Sequence, residues 1–125
     1  MDMTQFKLMI AGLGFIVIFL TGYGLRRQGQ PFPVVVLTAH KLITVATIAF
    51  LAKTVLGMTK LAPLSQGQPT ACIITGLLFI GAVATGGILS AAKNLPPLVR
   101  TLHWVLPFLT ALSTAAALYL LLRRK

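Results

Sequence analysis

Carboxylate side chains are almost absent from this sequence. Asp2 is the only acidic residue in a chain of 125 that carries 11 Lys and Arg residues. Proton-coupled membrane exporters and proton relays normally depend on a carboxylate inside the membrane, so both functions are disfavoured. Cysteine is equally scarce, because Cys72 is the only one. A single cysteine rules out an intrachain disulfide and a cysteine-rich metal site.

The basic residues do not form a surface suited to nucleic acid. The formal net charge of +10 comes from Lys and Arg residues scattered between long apolar runs, without a continuous basic stripe. Hydrophobic residues make up 57% of the chain and charged residues only 10%, which is far from the composition of soluble domains. We therefore expect a lipid bilayer as the main partner, no nucleic acid, and cations that act as interfacial anchors.

Four apolar segments are each long enough to cross the bilayer as a helix. They cover about residues 6–25, 33–58, 71–92 and 95–122, and about 20 residues suffice to span the hydrocarbon core. The connections contain prolines or glycines, and their short length favours antiparallel neighbours. The sequence thus predicts an all-α fold, a single transmembrane domain over residues 1–125 that forms an integral membrane four-helix up-down bundle.

The two halves of the chain resemble each other. With Gly12 placed on Gly76, the string GLGFIVIFLTGYGL faces GLLFIGAVATGGIL, and seven of the fourteen positions match. After a gap of one residue the strings PVVVLTAH and PPLVRTLH, which end at His40 and His103, also align. Shared membrane composition alone produces some chance matches, and that alternative stays open. The ordered series of Thr, Gly, Pro, Thr and His favours a tandem repeat of two helical hairpins.

The only two histidines are superposed by this alignment. Each lies seven residues beyond an aligned proline, so in a helix each would lie about 10 Å below the same membrane surface. Two parallel helices that present His40 and His103 at one depth would suit the two axial positions of one haem b iron. One alternative is a separate chlorophyll or bacteriochlorophyll on each His. The other is a simple hydrogen bond from each ring to a carbonyl or hydroxyl of a neighbouring helix.

The partner helices carry a Thr-Gly pair near the depth of each His. The pairs are Thr21 with Gly22 and Thr85 with Gly86. Glycine lets a backbone approach a ring closely, and a threonine hydroxyl can orient the second imidazole nitrogen. We expect these four residues to border the cofactor, although glycines at such positions are also typical of close helix packing.

Two cations lie near the histidines in the sequence. Arg100 precedes His103 by one turn and would reach a haem propionate at the interface. Lys41 follows His40 directly and would either do the same or extend its ammonium group to the headgroups.

With His40 and His103 in their TAH and TLH settings on two hairpins, the chain resembles small membrane b-type cytochromes, loosely those of the cytochrome b561 type. The resemblance implies one-electron transfer, with a quinone or within a larger redox complex of membrane subunits. It implies an electron-transfer subunit more than a stand-alone enzyme. Members with two haems need four histidines, whereas this chain has two and therefore enough for one haem.

The distribution of cations gives an orientation. At the edges of the spans or outside them, the side with both termini carries five cations, at positions 7, 60, 123, 124 and 125, against three at 26, 27 and 93 on the other side. Because cytoplasmic loops are enriched in Lys and Arg, we expect cytoplasmic termini and a haem nearer the outer face. A pigment-binding photosynthetic subunit and a cofactor-free scaffold subunit remain as alternatives to the cytochrome.

Overall fold

A computed structural model describes residues 2–29, 31–61, 68–92 and 94–123, except for the side chains of residues 59–61. Four helices account for nearly all of these residues, and the described part of the chain contains no strand. The helices are α1 (Met3–Gln28), α2 (Val34–Leu61), α3 (Gln68–Ala91) and α4 (Pro97–Leu122).

The predicted fold class is confirmed. The fold is all-α, and each of the four helices is long and apolar enough to cross a membrane. These four helices indicate a multi-pass integral membrane protein. It divides into two compact units, residues 1–58 and residues 59–125. The first unit contains α1 and most of α2, and the second contains α3 and α4.

The helix ends differ from the predicted spans by a few residues, because capping rather than hydropathy determines them. Helix α1 begins earlier than predicted, since Asp2 and Gln5 form a capping box. It ends at Gly29, whose φ of 69° lies in the left-handed region that favours glycine. Helix α4 begins later than predicted, at Pro97, which is well suited to the first turn of a helix.

The first unit is an antiparallel helical hairpin. Thr21 of α1 contacts His40 of α2, and Gly14 of α1 contacts Thr47 of α2. A step towards the start of α1 therefore corresponds to a step of the same number of residues towards the end of α2. The seven-residue interval on both helices places one side of α1 against one side of α2 over two turns.

The second unit is a hairpin of the same kind. Its contacts run in register from Gly86 with His103, at one end, to Gln68 with Leu120 at the other. Near the latter end Thr75 and Ser113 share a hydrogen bond of 2.5 Å, and Gln68 Nε2 donates to the Leu120 carbonyl at 2.9 Å. The two helices thus stay in contact over about 26 Å, most of the thickness of the hydrocarbon core.

Threonines are prominent among the buried residues of these hairpins, together with two alanines and three leucines, while many large apolar side chains point outward. Among the described residues Thr110 is the most buried, with 1% of its surface exposed. Leu20, Leu77 and Leu112, in contrast, are each more than 60% exposed. A protein whose solvent is lipid needs no apolar interior, and small hydroxyl residues allow close helix packing.

The first prediction concerns the topology. Reporters inserted at Gln30 and fused after residue 125 are expected on opposite faces of the membrane, because three crossings, those of α2, α3 and α4, separate them. The measurement is labelling of each reporter by a membrane-impermeant reagent in intact cells. Labelling of both reporters from the same face would contradict four crossings.

Candidate histidine site

The two histidines occupy the same position in their respective helices. His40 is the seventh residue of α2 and His103 the seventh residue of α4, so each lies about 9 Å from the start of its helix. Both side chains are half-buried. The two histidines thus hold equivalent positions in their own helices.

In the first hairpin the hydroxyl of Thr21 fixes the tautomer of His40. The Thr21 hydroxyl lies 2.8 Å from the carbonyl oxygen of Val17, one turn earlier in the same helix, and donates its proton there. Its oxygen is also 2.8 Å from Nδ1 of His40. With the hydroxyl proton donated to Val17, Nδ1–H is the donor in the hydrogen bond between His40 and Thr21. His40 therefore carries its proton on Nδ1, and its Nε2 has a lone pair.

The second hairpin repeats this arrangement and adds an acceptor. The Thr85 hydroxyl donates to the Gly81 carbonyl at 2.9 Å, and its oxygen lies 3.0 Å from Nδ1 of His103. The Ala82 carbonyl oxygen lies 3.1 Å from the same Nδ1. A carbonyl oxygen can only accept, so His103 too is protonated on Nδ1. No hydrogen bond reaches its Nε2 from the residues that the structure describes.

A glycine makes room for each imidazole. A Cβ added to Gly22 would lie 3.2 Å from Cε1 of His40, and one added to Gly86 would lie 2.8 Å from Cε1 of His103. Any side chain larger than hydrogen would therefore push against the ring. The pairing of Thr with Gly in both hairpins thus serves one purpose, since the hydroxyl binds the ring and the neighbouring glycine admits it.

The side chains of Arg100 and Lys41 are not held in place by contacts with the histidines, unlike the threonines and glycines. Both side chains are exposed, Arg100 three residues before His103 and Lys41 next to His40. Within residues 2–29, 31–61, 68–92 and 94–123 neither forms an ion pair or hydrogen bond through its side chain. Both cations lie close to a histidine in the chain, and their role towards an anionic group at the interface stays a prediction.

Sequence analysis missed the backbone acceptor and one asymmetry between the hairpins. Nothing in the residue types indicates that the Ala82 carbonyl faces His103, since every residue offers the same carbonyl.

The asymmetry between the two hairpins lies one helical turn beyond each histidine. Thr44 donates from its hydroxyl to the His40 carbonyl at 2.7 Å, whereas Pro107, which occupies the matching position in α4, has no N–H for the His103 carbonyl. The alignment of the two halves contained this signal.

The donor set fits a metal held in a macrocycle better than a bare metal ion. No group of three or more His, Cys, Asp or Glu side chains able to hold a metal ion occurs among the described residues. A bare ion would need such a group, because structural and catalytic ions take three or four protein ligands. The iron of a haem needs only axial ligands from the protein, and a neutral imidazole with its Nδ1–H bonded elsewhere is a suitable one.

The second prediction tests the close approach of glycine and histidine. Gly86→Ala should lower the thermal unfolding temperature of the detergent-solubilised protein, since overpacking costs about 1–3 kcal/mol. Gly87→Ala is the matched control, because a Cβ at that position meets nothing within 4 Å. Fluorescence of Trp104, next to His103 in the chain, can report the unfolding. Equal unfolding temperatures for the two variants would contradict the contact.

A comparison with family models, curated proteins and solved structures found no match to this chain.

Proposed function

We propose that this protein is a membrane-bound b-type cytochrome in which His40 and His103 are the axial ligands of one haem b. The observation that carries the proposal is that both imidazole rings have the same tautomer and the same kind of hydrogen bond. Each is held through Nδ1–H by a threonine of its own hairpin, so each Nε2 has the lone pair that iron requires. This state occurs at the same helical position in both hairpins.

The chain's own residues would bind and orient the cofactor. Thr21 and Thr85 keep each imidazole in the tautomer and rotation needed for ligation, and Gly22 and Gly86 leave space for the rings. Arg100 is suited to bind a propionate, with Lys41 as a second cation at the same end of the helices. When bound, haem b supplies reversible one-electron transfer.

The lack of acidic residues points to a protein that carries electrons rather than protons. With Asp2 as the only carboxylate, the spans contain no Asp or Glu that could take up or release a proton. We therefore infer a subunit of a larger redox complex of membrane proteins, with a quinone as the small-molecule partner. The excess of cations on the side of the termini supports cytoplasmic termini.

One feature favours pigment binding as a second candidate. Each hairpin contains a complete Thr-His-Gly set of its own, so each could hold a separate chlorophyll or bacteriochlorophyll magnesium without the other. A cofactor-free scaffold would use the same threonine contacts only to satisfy the imidazoles. An absorption spectrum of the purified protein distinguishes the three, since haem, chlorin and the bare protein absorb differently.

The third prediction tests the ligands. The purified protein should show the spectrum of a low-spin bis-His haem. His40→Ala and His103→Ala should each disturb it, and the double variant should abolish haem binding. The carboxylate, thioether and thiol side chains among the described residues lie toward the opposite ends of their helices, namely Asp2, Met3, Met9, Met58 and Cys72. Thr38→Ala with Thr101→Ala is the matched control, because these exposed residues lie half a turn from the histidines. An unchanged spectrum in the double histidine variant would refute the proposal.

Arg100→Ala should have a much smaller effect on haem retention, since the side chain is exposed.

The fourth prediction tests the hydroxyl groups. Thr21→Val and Thr85→Val keep the shape of the side chain but remove the acceptor for Nδ1–H. Loss of such a partner typically weakens metal binding by about 10–100-fold. We expect weaker haem retention and a shifted midpoint potential, with Thr70→Val, at an exposed position of α3, as control. If all three valine variants behave alike, the threonines do not position the ligands.

A further inference from the structure

We propose that Lys7 and Lys53 form a binding site for the phosphate group of an anionic phospholipid at the other end of the first hairpin. The register of the α1–α2 hairpin shows which residues of the two helices lie level with each other. Its contacts join Thr21 to His40 and Gly14 to Thr47, seven residues apart on both helices. A further seven residues bring Lys7 of α1 level with Thr54 of α2, next to Lys53.

Lys7 lies on the side of α1 that faces α2. It precedes Ala11 by four residues and Gly14 by seven, and residues at these intervals share one side of a helix. Ala11 is 5% exposed and Gly14 contacts Thr47, so this side is the packed one. Lys7 is accordingly half-buried, while Lys53 is exposed beside the buried Thr54. The two ammonium groups therefore belong to the same end of the α1–α2 seam.

Neither lysine is neutralised by the part of the chain that the structure describes. Their side chains form no ion pair or hydrogen bond there. The only carboxylate, Asp2, accepts from the Gln5 backbone as the cap of α1. Two like charges at one level repel each other, and an anion bound between them would offset that repulsion.

The depth of the lysines suits a lipid headgroup. Lys7 follows the start of α1 by four residues, or about 6 Å, and a helix of this length exceeds the hydrocarbon core of about 30 Å. Lys53 lies deeper by its Cα, but its flexible side chain can extend to the headgroups. The ammonium groups would thus meet at the level of the lipid phosphates.

The cations are a feature of the first hairpin alone. At the matching positions of the second hairpin, offset by 64 residues in the first helix and 63 in the second, the chain has Ala71 and Ala116. The repeated architecture does not itself require a charge at either place. A specific ligand of the first hairpin accounts for both lysines, whereas a general anchoring role would suit either hairpin. The phosphodiester of an anionic lipid is available at this depth around the whole protein.

The fifth prediction is a lipid-binding experiment. The purified protein is equilibrated with equal amounts of phosphatidylglycerol and phosphatidylcholine, and retained lipids are counted by native mass spectrometry. The wild-type chain should retain phosphatidylglycerol preferentially. Lys7→Gln with Lys53→Gln should reduce that retention by about tenfold or more, since both charges that attract the lipid phosphate are removed. Each single Lys→Gln variant should lose part of it, and Lys7→Arg with Lys53→Arg should keep most of it.

The control removes the same charge from the opposite end of the same hairpin. Arg26→Gln with Arg27→Gln should leave the tightly retained phosphatidylglycerol in place. Equal loss in both double variants would mean a diffuse attraction by net charge and would overturn the site. Displacement of phosphatidylglycerol by inorganic phosphate would overturn the assignment to a lipid in favour of a free anion. None of these outcomes depends on haem, so the experiment stands apart from the proposed cytochrome function.

Discussion

A hydrogen-bond donor inside a bilayer must find its acceptor within the protein, and this constraint organises the whole structure. It requires helices, because they pair their own N–H and C=O groups. It also governs the threonine hydroxyls, which donate to carbonyls three or four residues earlier in the same helix. The residues that do so are Thr21, Thr44, Thr54, Thr75, Thr85, Thr110 and Thr114. A hydroxyl committed in this way can only accept from a neighbouring helix. The same rule that makes a threonine acceptable in lipid therefore sets the tautomer of each histidine.

The two hairpins agree at their histidine ends and differ elsewhere. At the other end Thr75 and Ser113 share a hydrogen bond in the second hairpin, where the first has Ala11 and Phe50. Glycine and threonine meet in the first hairpin at Gly14 and Thr47, whereas Leu78 replaces that glycine in the second. If helix packing alone required the repeat, these packing contacts should recur as faithfully as the Thr-His-Gly set. The contacts that recur are those of the Thr-His-Gly set, which position an imidazole. This recurrence favours a shared chemical role for the two histidines.

Much of this structure was predictable from the sequence, and the limits are physical. Hydropathy and the positions of Pro and Gly were sufficient for four helices, and the repeat indicated which threonines and glycines lie at histidine depth. The helix ends were less accurate, because the capping box of Asp2 and Gln5 adds a turn that hydropathy does not register. The Ala82 carbonyl was not predictable, since its part in the site depends on the rotation of one ring. The Thr75–Ser113 contact was also missed, because hydroxyl residues are common in all four helices and only the register between α3 and α4 selects this pair.

The remaining nitrogen of His103 bears on the choice between a structural and a ligating histidine. A histidine that only joins two helices would be complete once Nδ1–H has its acceptors. Here Thr85 and Ala82 meet that need, yet in the described part of the chain Nε2 receives no hydrogen bond. A polar atom without a partner in apolar surroundings costs about 1–3 kcal/mol, a cost that a purely structural leucine would avoid. A bound metal centre would offset this cost, because the lone pair that finds no donor in the hairpin is the one a ligand must offer. The unused Nε2, rather than the presence of histidine itself, is therefore the stronger argument for a cofactor.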